Sequence, residues 1–419
     1  MKPTRPPLKS LDEALAELLA QALPLPGSVE LDTFDADGRV LAQDLNSELQ
    51  VPPQDNSSMD GYALRCADLD SAGGVLTVTQ RIPAGSTGLA LERGCAARIF
   101  TGAPIPAGAD AVVMQEDCEA FCSTGATGAT GALDQVRILV RPQPGQWIRR
   151  AGEDVRRGAV VLHAGTRLTA AALGLAASIG LDRLVLARAP RVALFSTGDE
   201  LVMPGAIAPQ QMRPGAIYNS NRFFLRALLK RLGCEVSDYG IVPDQRAATE
   251  QALRDASRSH DLILTSGGVS VGEEDHIKPA VQALGELNLW QIAIKPGKPF
   301  AYGRVGTTHF IGLPGNPVSS YITFLLLVRP FLLKLQGVRA LQTQAQTLPA
   351  HFDWPRADPR REFLRVRRNA AGGLELFANQ SSGVLTSAVW GDGLVDNPPG
   401  RRIAQGDAVQ FISFAEFLA

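Results

Sequence analysis

The chain has 419 residues, of which 45% are hydrophobic and 20% are charged, and its formal net charge at pH 7 is −1. One hydrophobic core does not serve a chain of this length, so we expect about three domains, give or take one. The balanced charge argues against bulk attraction to nucleic acid or anionic lipid, and the five scattered cysteines argue against a disulfide framework. We therefore expect a cytoplasmic protein with neither a nucleic-acid nor a membrane partner.

The first part of the chain reads as a helix followed by short β-prone runs. The first ten residues lack the apolar core of a signal peptide, and Ser10 forms a capping box with Glu13 that begins a helix. Residues 51–141 are rich in glycine and proline, and they contain a low-complexity stretch at 123–134 that we interpret as a surface insertion. An Ala-rich helix from Leu168 then returns the chain to the region of the N-terminal helix.

Residues 191 to about 335 alternate strands with helices. The strand-like runs are "RVALFS", "EVSDYGIV", "DLILT", "LWQIAI" and "HFIGL". This alternation predicts a doubly wound, mostly parallel α/β sheet. The apolar run from Val318 contains Arg329 and Pro330 and is short for a bilayer, so we expect a buried core helix. The remaining residues read as a small β domain, because short strands alternate with glycine and proline.

These patterns predict a multidomain α/β and β protein with four structural units. They are a discontinuous helical and linker domain at 1–50 and 148–189, a β-rich insertion domain at 51–147, an α/β domain at 190–337, and a C-terminal β domain at 338–419. Open α/β sheets bind ligands at the carboxyl ends of their strands. We therefore expect ligand-binding side chains at those strand ends and at unusual turns.

The segment "SSMDGYALR" at 57–65 places Asp60 directly before Gly61. An Asp-Gly turn is the common explanation, because glycine accepts φ > 0 and aspartate bonds its own backbone. The alternative is a carboxylate held out on the turn for chemistry. Taken alone, the segment favours the turn.

The loop "SGGVSVGEED" after "DLILT" is a reasonable phosphate cradle. Glycines let backbone N–H groups approach an anion, and serines add hydroxyl donors. Glu273 stands where a Walker loop needs lysine, which disfavours triphosphate binding of that kind. Asp275 at the acidic end either helps to hold a hard cation or only favours a helix N-terminus. The predicted anion donors of this loop are Ser266, Gly267, Gly268 and Ser270.

Other strand ends carry charges of both signs. Glu200 in "STGDEL" and Asp244 in "VPDQ" are carboxylates, although Asp244 could simply cap the next helix. Lys295 and Lys298 flank a Pro-Gly turn in "IKPGKPFAYG". Two ammonium groups held this close repel one another, so their placement suggests a bound anion.

The last strand end, "GLPGNPVSS", precedes the long apolar helix. Asn316 lies between Pro314 and Pro317, and the N–H groups that follow form either another anion site or only a rigid loop. Carboxylates, lysines and N–H-rich loops thus converge on one edge of one sheet. Together they predict a site for a phosphorylated ligand, an additional oxyanion and a divalent cation.

Eight motifs resemble, in order and spacing, those of the molybdopterin molybdenumtransferase family, which includes the bacterial MoeA protein and the gephyrin E domain. They are "SSMDGYA", "FTGAPIPAGADAVV", "AGEDVRRG", "FSTGDEL", "IYNSNR", "TSGGVSVGEEDHIK", "IKPGKPFAYG" and "GLPGNPVSS". The resemblance implies insertion of molybdenum from molybdate into adenylylated molybdopterin, which gives the cofactor and AMP. It also implies Mg²⁺, a homodimer with a shared active site, and a sheet domain similar to the molybdopterin adenylyltransferase that acts one step earlier.

The resemblance also implies site residues. Mg²⁺ would be held by carboxylates among Glu200, Asp244 and Asp275, with molybdate oriented by Lys295 and Lys298. The 123–134 insertion and the stretch "SAVWGDGLV" depart from the family pattern. The family's functional positions match Asp60, Thr101, Asp154, Glu200, Asp244, Asp275, Lys295, Lys298, Pro314 and Pro317, and by weaker similarity Arg360 and Ser382.

Two other function classes share parts of this pattern. A nucleotide-binding enzyme like the adenylyltransferase would have a similar sheet domain, but "SSMDGYA" and "AGEDVRRG" belong to the insertion enzymes. A gephyrin-like scaffold could dispense with the site carboxylates, which this chain retains. An upstream adenylyltransferase or acceptor molybdoenzymes are further candidate partners.

Overall fold

The computed structural model describes residues 8–122, 134–243, 245–268 and 276–418. Asp244, Ser270, Asp275 and nearly all of the 123–134 insertion therefore lie outside the described residues. The chain forms two compact units, which we describe separately. The larger comprises Met1–Gln43, Ala164–Ala170 and Arg183–Ala419, and the smaller comprises Asp44–His163 and Ala171–Asp182. The division into four domains stays a prediction.

The smaller unit is built on a six-stranded sheet. Its strands lie in the order Ala111–Met114, Gly61–Leu64, Cys95–Ile99, Val75–Ile82, Gln135–Ile138 and Cys118–Phe121. The unit also contains two separate two-stranded ladders. They pair Asn56–Ser57 with Ile148–Arg149 and Leu45–Asn46 with Val160–Leu162. The helices are Asp68–Ser71 and Ala170–Ser178. Apolar side chains such as Leu64, Ala96 and Val113 are buried between these elements.

The N-terminal helix of the larger unit is Leu11–Gln21, and the predicted capping box is confirmed. The Ser10 hydroxyl accepts from the Glu13 amide at 3.2 Å, and the Glu13 carboxylate accepts from the Ser10 amide at 2.9 Å. Two short strand pairs also belong to this unit. They are Ser28–Asp32 with Arg183–Ala187, and Leu201–Val202 with Ile217–Tyr218.

The α/β sheet of the larger unit has the predicted doubly wound character. Its strands lie in the order Glu235–Val242, Arg191–Thr197, Leu262–Ser266, Thr308–Leu313, Pro299–Val305 and Gly285–Gln291. The first four strands are mutually parallel, and the last two add antiparallel pairings. The helices that accompany the sheet are Asn221–Arg231, Arg246–Ser257, Ile277–Leu284 and Pro317–Thr323.

The long apolar helix continues from Pro317–Thr323 through a π-helical turn, Phe324–Val328, to Arg329–Leu335. In the described part of the chain it is the one helix long and apolar enough to cross a membrane, but 83% of its apolar window is buried inside the protein. Its side chains pack against the α/β sheet and Leu11–Gln21. It is a core helix of this unit, as predicted.

The C-terminal sheet corrects one predicted strand. The run "LWQIAI" divides into Gly285–Gln291, which stays in the α/β sheet, and Ile294–Lys295, which pairs in parallel with Arg361 and Glu362. Pro296 cannot donate to a ladder, so the pairing ends at Lys295. The other strands are Arg361–Arg368, Gly393–Asn397, Ala408–Ser413, Gln346–Pro349 and Leu374–Leu376, with helices Thr386–Trp390 and Phe414–Leu418.

Candidate functional site

Four parallel strands of the α/β sheet end at one edge, at Thr197, Val242, Ser266 and Leu313. Pro299–Val305 runs antiparallel to this set, so it begins at the same edge. The turn that carries Lys298 directly precedes that strand. The topology therefore places the turn at 295–298, here called the lysine turn, at the same edge of the sheet as the loop that starts at Ser266, here called the glycine loop. The sequence predicted this arrangement.

The loop that starts at Ser266 requires glycine at its two described glycine positions. Gly267 and Gly268 have φ of +95° and +68°, and a Cβ on Gly267 would lie 2.8 Å from the Thr197 carbonyl oxygen. A Cβ on Gly268 would lie 2.7 Å from Ile277 Cγ1. Any other residue would thus be strained and would collide with its neighbours. The predicted anion donor Gly267 is corrected, because its amide already donates to the Leu313 carbonyl at 3.1 Å.

Asn221 connects the loop that starts at Ser266 with the loop "GLPGN". The sequence analysis did not predict this role. Its amide nitrogen donates to the Ser266 hydroxyl and to the Gly315 carbonyl, both at 2.7 Å. Asn221 opens the helix Asn221–Arg231 and is 9% exposed, so its side chain is directed inward to the loops. A polar residue at a helix start beside two glycine-rich loops was the available signal.

Buried hydroxyl groups without partners lie at the end of the Arg191–Thr197 strand. The side-chain oxygens of Ser196 and Thr197 are buried and have no hydrogen-bond partner among the described residues. Buried polar groups are normally paired, by protein, water or ligand. Thr197 also contacts the glycine loop, because Cβ atoms built on Gly267 and Gly268 would lie 3.4 and 3.1 Å from its hydroxyl oxygen. The Ser196 and Thr197 hydroxyls at this edge are therefore available to hydrogen-bond a ligand or water.

Glu200 is the one predicted metal ligand within the described residues. Its carboxylate folds back over Gly198, where a Cβ would meet its oxygens at 2.5 and 2.8 Å. Its side chain has no ion pair with any described residue. No group of three or more His, Cys, Asp or Glu in the described ranges could hold a metal ion. The other two predicted ligands, Asp244 and Asp275, lie outside those ranges.

Lys295 belongs to a compact network of charges. Its ammonium group donates to Glu362 at 3.0 Å and lies 3.2 Å from Asp358. Burial opposes its charge, but the hydrogen bonds to the two carboxylates prevail and raise the pKa of Lys295. Glu362 is buried, and its second oxygen accepts from the Trp354 indole at 2.7 Å. The charge of Lys295 is thus compensated within the protein.

Arg360 completes this network. Its guanidinium binds both oxygens of Asp358 at 2.9 Å. These hydrogen bonds raise the pKa of Arg360 and, with the Lys295 contact, hold the pKa of Asp358 well below its usual range. The predicted site residue Arg360 is therefore joined to Lys295 through Asp358.

Lys298 differs from Lys295, because no carboxylate among the described residues pairs with it. Its backbone carbonyl accepts from the Ile292 amide at 2.8 Å, and its side chain is half-buried. Between the lysines, Gly297 has φ +110°, and a Cβ there would lie 2.4 Å from the Thr323 hydroxyl. The lysine turn therefore rests directly on the helix that follows "GLPGN".

The loop Pro314 to Pro317 is tied to the C-terminal region. Pro317 occupies the first turn of its helix, and Asn316 precedes it without a side-chain cap. The Val318 amide donates to the Ser382 carbonyl at 3.0 Å. The predicted residue Ser382 is thereby placed beside the start of the helix, although its contact there is through the backbone.

Arg365 holds the Ser382 loop and was not predicted. It is 1% exposed and donates to the Ser387 hydroxyl at 3.1 Å and to the carbonyls of Phe363 and Ser381 at 3.1 and 3.3 Å. Burial lowers the pKa of Arg365 to about 10. The signal available in the sequence was an arginine between two apolar strand residues in "FLRV".

The smaller unit brings Asp60 and Thr101 together. One oxygen of the Asp60 carboxylate accepts from the amide and the hydroxyl of Thr101, both at 2.7 Å. These bonds, that to the amide first, lower the pKa of Asp60. The carboxylate is therefore held in place and ionised at neutral pH.

The Asp-Gly turn with φ > 0 at Gly61, which the segment taken alone favoured, is not formed. Gly61 is not among the glycines with positive φ, and it opens the strand Gly61–Leu64. Glycine is needed there because a Cβ would lie 1.8 Å from the Val113 carbonyl oxygen. Close contact with the neighbouring strand at Val113, which is remote in the sequence, explains this glycine.

Asp154 lies apart from the Asp60 pair. It is exposed, and its amide donates to the Val51 carbonyl at 3.0 Å. It lines a cleft of about 370 Å³ together with Glu153, Arg156 and Leu175. No hydrogen bond joins its carboxylate to Asp60 or Thr101, all three of which lie in the described ranges.

Family models match most of the chain. Residues 9–180 match the MoeA N-terminal region (domain I and II), residues 193–334 a probable molybdopterin binding domain, and residues 347–414 the MoeA C-terminal region (domain IV). Three of the eight family motifs, "SSMDGYA", "FTGAPIPAGADAVV" and "AGEDVRRG", fall in the first model, and the loops that carry Gly267 and Lys298 fall in the second.

Similar proteins agree with these models. A molybdopterin molybdenumtransferase of Haemophilus influenzae is 42% identical over 82% of this chain and 80% of its own length. A molybdopterin molybdenumtransferase 2 of Mycobacterium tuberculosis is 35% identical over 92% and 93%. The crystal structure of a molybdopterin biosynthesis MoeA protein from Pyrococcus horikoshii superposes with a TM-score of 0.81 at 28% identity, covering 97% of this chain and all of that one. The chain therefore belongs to the molybdopterin molybdenumtransferase family and is an enzyme of molybdenum cofactor biosynthesis.

Proposed function

We propose that this enzyme transfers molybdenum from molybdate into adenylylated molybdopterin, releasing the cofactor and AMP. The observation that carries the proposal is the surplus of uncompensated polar groups at the carboxyl edge of the α/β sheet. Lys298 lacks a described carboxylate partner, and the hydroxyls of Ser196 and Thr197 are buried and unpaired among the described residues. Such groups suit a ligand with several anionic oxygens.

The glycine loop is proposed to bind phosphate. The described donors for phosphate oxygens are the Gly268 amide and the Ser266 hydroxyl, since the Gly267 amide already donates to the Leu313 carbonyl at 3.1 Å. Asn221 holds the Ser266 hydroxyl and the Gly315 carbonyl in fixed positions. A hydroxyl donor held in place in this way stabilises negative charge that develops during bond cleavage, because it needs no reorganisation.

The two lysines are proposed to have different roles toward molybdate. Lys298 has its charge available for a dianion, whereas Lys295 donates to Glu362 and contacts Asp358. We therefore assign direct molybdate binding to Lys298. Lys295 would contribute its remaining N–H and would fix the turn on which both lysines stand.

Mg²⁺ is the proposed cofactor, and the resemblance assigns it to Glu200, Asp244 and Asp275. Glu200 fits this role, because its carboxylate is a hard oxygen donor without an ion pair to a described residue. When bound, Mg²⁺ would neutralise negative charge on the phosphoanhydride as it is cleaved.

Asp275→Asn keeps the shape of a helix cap and removes the charge. We expect this variant to fold, to retain the pterin and to release AMP very slowly.

Asp60 and the lysines are proposed to act on the same substrate in a homodimer with a shared active site. Mixing an Asp60→Asn subunit with a Lys295→Ala subunit should restore part of the activity if each subunit supplies one set of groups. Verified heterodimers without recovery would contradict sharing. Two partners stay predictions: an upstream adenylyltransferase that delivers the substrate and a molybdoenzyme that accepts the product. A cytoplasmic location also stays a prediction.

Mass spectrometry of the copurifying ligand, followed by an AMP-release assay, tests the function. We expect a pterin bearing AMP, and release of AMP that depends on molybdate. An adenylyltransferase would instead form the adenylylated pterin from ATP and molybdopterin. A scaffold would do neither, so either result would overturn the proposal.

A further inference from the structure

Trp147 has an unusual backbone conformation. Among the described residues it is the one non-glycine residue with positive φ, at 54°, and every other residue in that region is a glycine. The left-handed region is unfavourable for a residue with a Cβ, and for a bulky side chain it is a clear outlier. Glycine or asparagine would adopt this turn at lower cost. The presence of tryptophan therefore calls for a compensating interaction.

Packing within the smaller unit covers only part of the Trp147 side chain. The Trp147 side chain remains 36% exposed. No aromatic ring or cation of the described residues stacks on its indole, whereas Trp290, Trp354 and Trp390 each have such a neighbour. Strained residues persist where the surrounding structure or a function maintains them, and they cluster at ligand sites.

Trp147 adjoins the segment that carries Asp60. Its carbonyl accepts from the Ser58 amide at 3.0 Å, and the next residue, Ile148, pairs with Ser57. On the other side of this segment, the Gly102 amide donates to the Ser57 carbonyl at 2.8 Å, and Thr101 binds the Asp60 carboxylate. The turn at Trp147 and the turn at Thr101 thus hold the Asp60 segment between them.

We propose that the indole of Trp147 is a stacking surface for a flat heteroaromatic ring of the substrate bound at Asp60. This inference rests on the proposed function, whose substrate has two such rings, the pterin and the adenine. An indole face suits either ring, because stacking on an aromatic side chain needs no particular pattern of hydrogen bonds. The strained turn would then be maintained for binding, and the exposed ring would be covered when substrate is present.

Three variants separate stacking from backbone effects. Trp147→Asn removes the ring and tolerates the left-handed conformation, whereas Trp147→Phe keeps a ring in the same strained position. Leu89→Asn serves as a control, because Leu89 is another exposed apolar residue of this unit, at 80% exposure. Equilibrium binding of molybdopterin, of AMP and of adenylylated molybdopterin is measured for each, together with the melting temperature.

We expect Trp147→Asn to bind adenylylated molybdopterin roughly ten-fold more weakly than the parent, with an unchanged or higher melting temperature. Trp147→Phe should stay within about three-fold of the parent, and Leu89→Asn should equal it. Loss of affinity for molybdopterin but not for AMP would assign the pterin, and the reverse would assign the adenine. Either result supports the stacking role.

Unchanged affinity of Trp147→Asn for all three ligands would overturn this inference alone. If the parent itself binds none of them, the proposed function fails instead. Sedimentation velocity at the same concentrations distinguishes one more case. If weaker binding by Trp147→Asn appears only where its oligomers dissociate, the ring serves a subunit contact and the stacking role is overturned.

Discussion

The carboxyl edge of the α/β sheet and the C-terminal sheet each carry a lysine, but only the lysine of the C-terminal sheet is paired with carboxylates of the described residues. Lys295, Glu362, Asp358 and Arg360 satisfy one another within about 3 Å. At the edge, Lys298 and the Ser196 and Thr197 hydroxyls lack partners among the described residues. A buried network that is already satisfied provides rigidity, and unsatisfied groups beside it are available to a ligand. The difference separates scaffold from candidate binding groups.

The largest expected effect is on Lys298. Lys298→Ala removes a charge directed at a dianion, and a hydrogen bond to a charged group contributes about 1.5–3 kcal/mol. We therefore expect the molybdate concentration for half-maximal rate to rise about 10- to 150-fold, with little change in pterin binding. Lys295→Ala is the comparison, and it should affect stability more and molybdate dependence less. Equal molybdate dependence in the two variants would remove the distinction between them.

Gly297→Ala tests how the lysine turn is supported. Its φ of +110° disfavours a Cβ, which would also meet the Thr323 hydroxyl at 2.4 Å. We expect a loss of about 2 kcal/mol in the free energy of unfolding, measured with urea, and weaker molybdate binding as the turn moves. Gly306→Ala is the control, because Gly306 has φ +61° and open space around it. It should cost only about 1 kcal/mol and leave molybdate binding unchanged, and equal effects in both variants would contradict the contact.

Arg365→Lys tests the support of the Ser382 loop. Lysine keeps the charge but cannot make the three hydrogen bonds of the guanidinium fork, so we expect a loss of about 1–1.5 kcal/mol in the free energy of unfolding. The position of Ser382 beside Val318 should loosen, and activity should fall more than the stability change explains. Arg367→Lys is the control, since Arg367 makes an exposed pair with Glu375. If both variants behave alike, Arg365 has no special role.

The smallest effect is a pH dependence that belongs to the compensated network. The hydrogen bonds from Arg360 hold the pKa of Asp358 below its ordinary value of 3.8. A lowered pKa stabilises the folded state above the pKa of the unfolded chain, and this contribution is lost as pH falls toward the folded value. We expect urea-unfolding free energies to fall below about pH 4 more steeply in the parent than in Asp358→Asn. Asp70→Asn, which removes an exposed pair with Arg141, should retain the parent's slope.

Much of the architecture could be predicted because its signals are local. The capping box at Ser10, the alternation of strands and helices from 191, and the buried apolar helix after Pro317 each depend on residues a few positions apart. The family motifs are local in the same way, so the site loops and the enzyme class could also be predicted from them. The strand Pro299–Val305 was not among the predicted strands, and its antiparallel pairing could not be predicted, because either direction satisfies the same apolar pattern.

Only the tertiary structure decided which of the charged site residues are paired with an opposite charge. Lys295 and Lys298 look alike in "IKPGKP", and the difference between them comes from Glu362, which is 67 positions away. The need for glycine at position 61 comes from the Val113 carbonyl, and the burial of Arg365 comes from the Ser381 to Ser387 loop. Charge compensation and close backbone contact depend on distances between segments that are remote in the chain. Sequence alone therefore determined the fold class, the family and the loops that carry the candidate site, whereas folding decided which side chains in those loops remain available to a ligand.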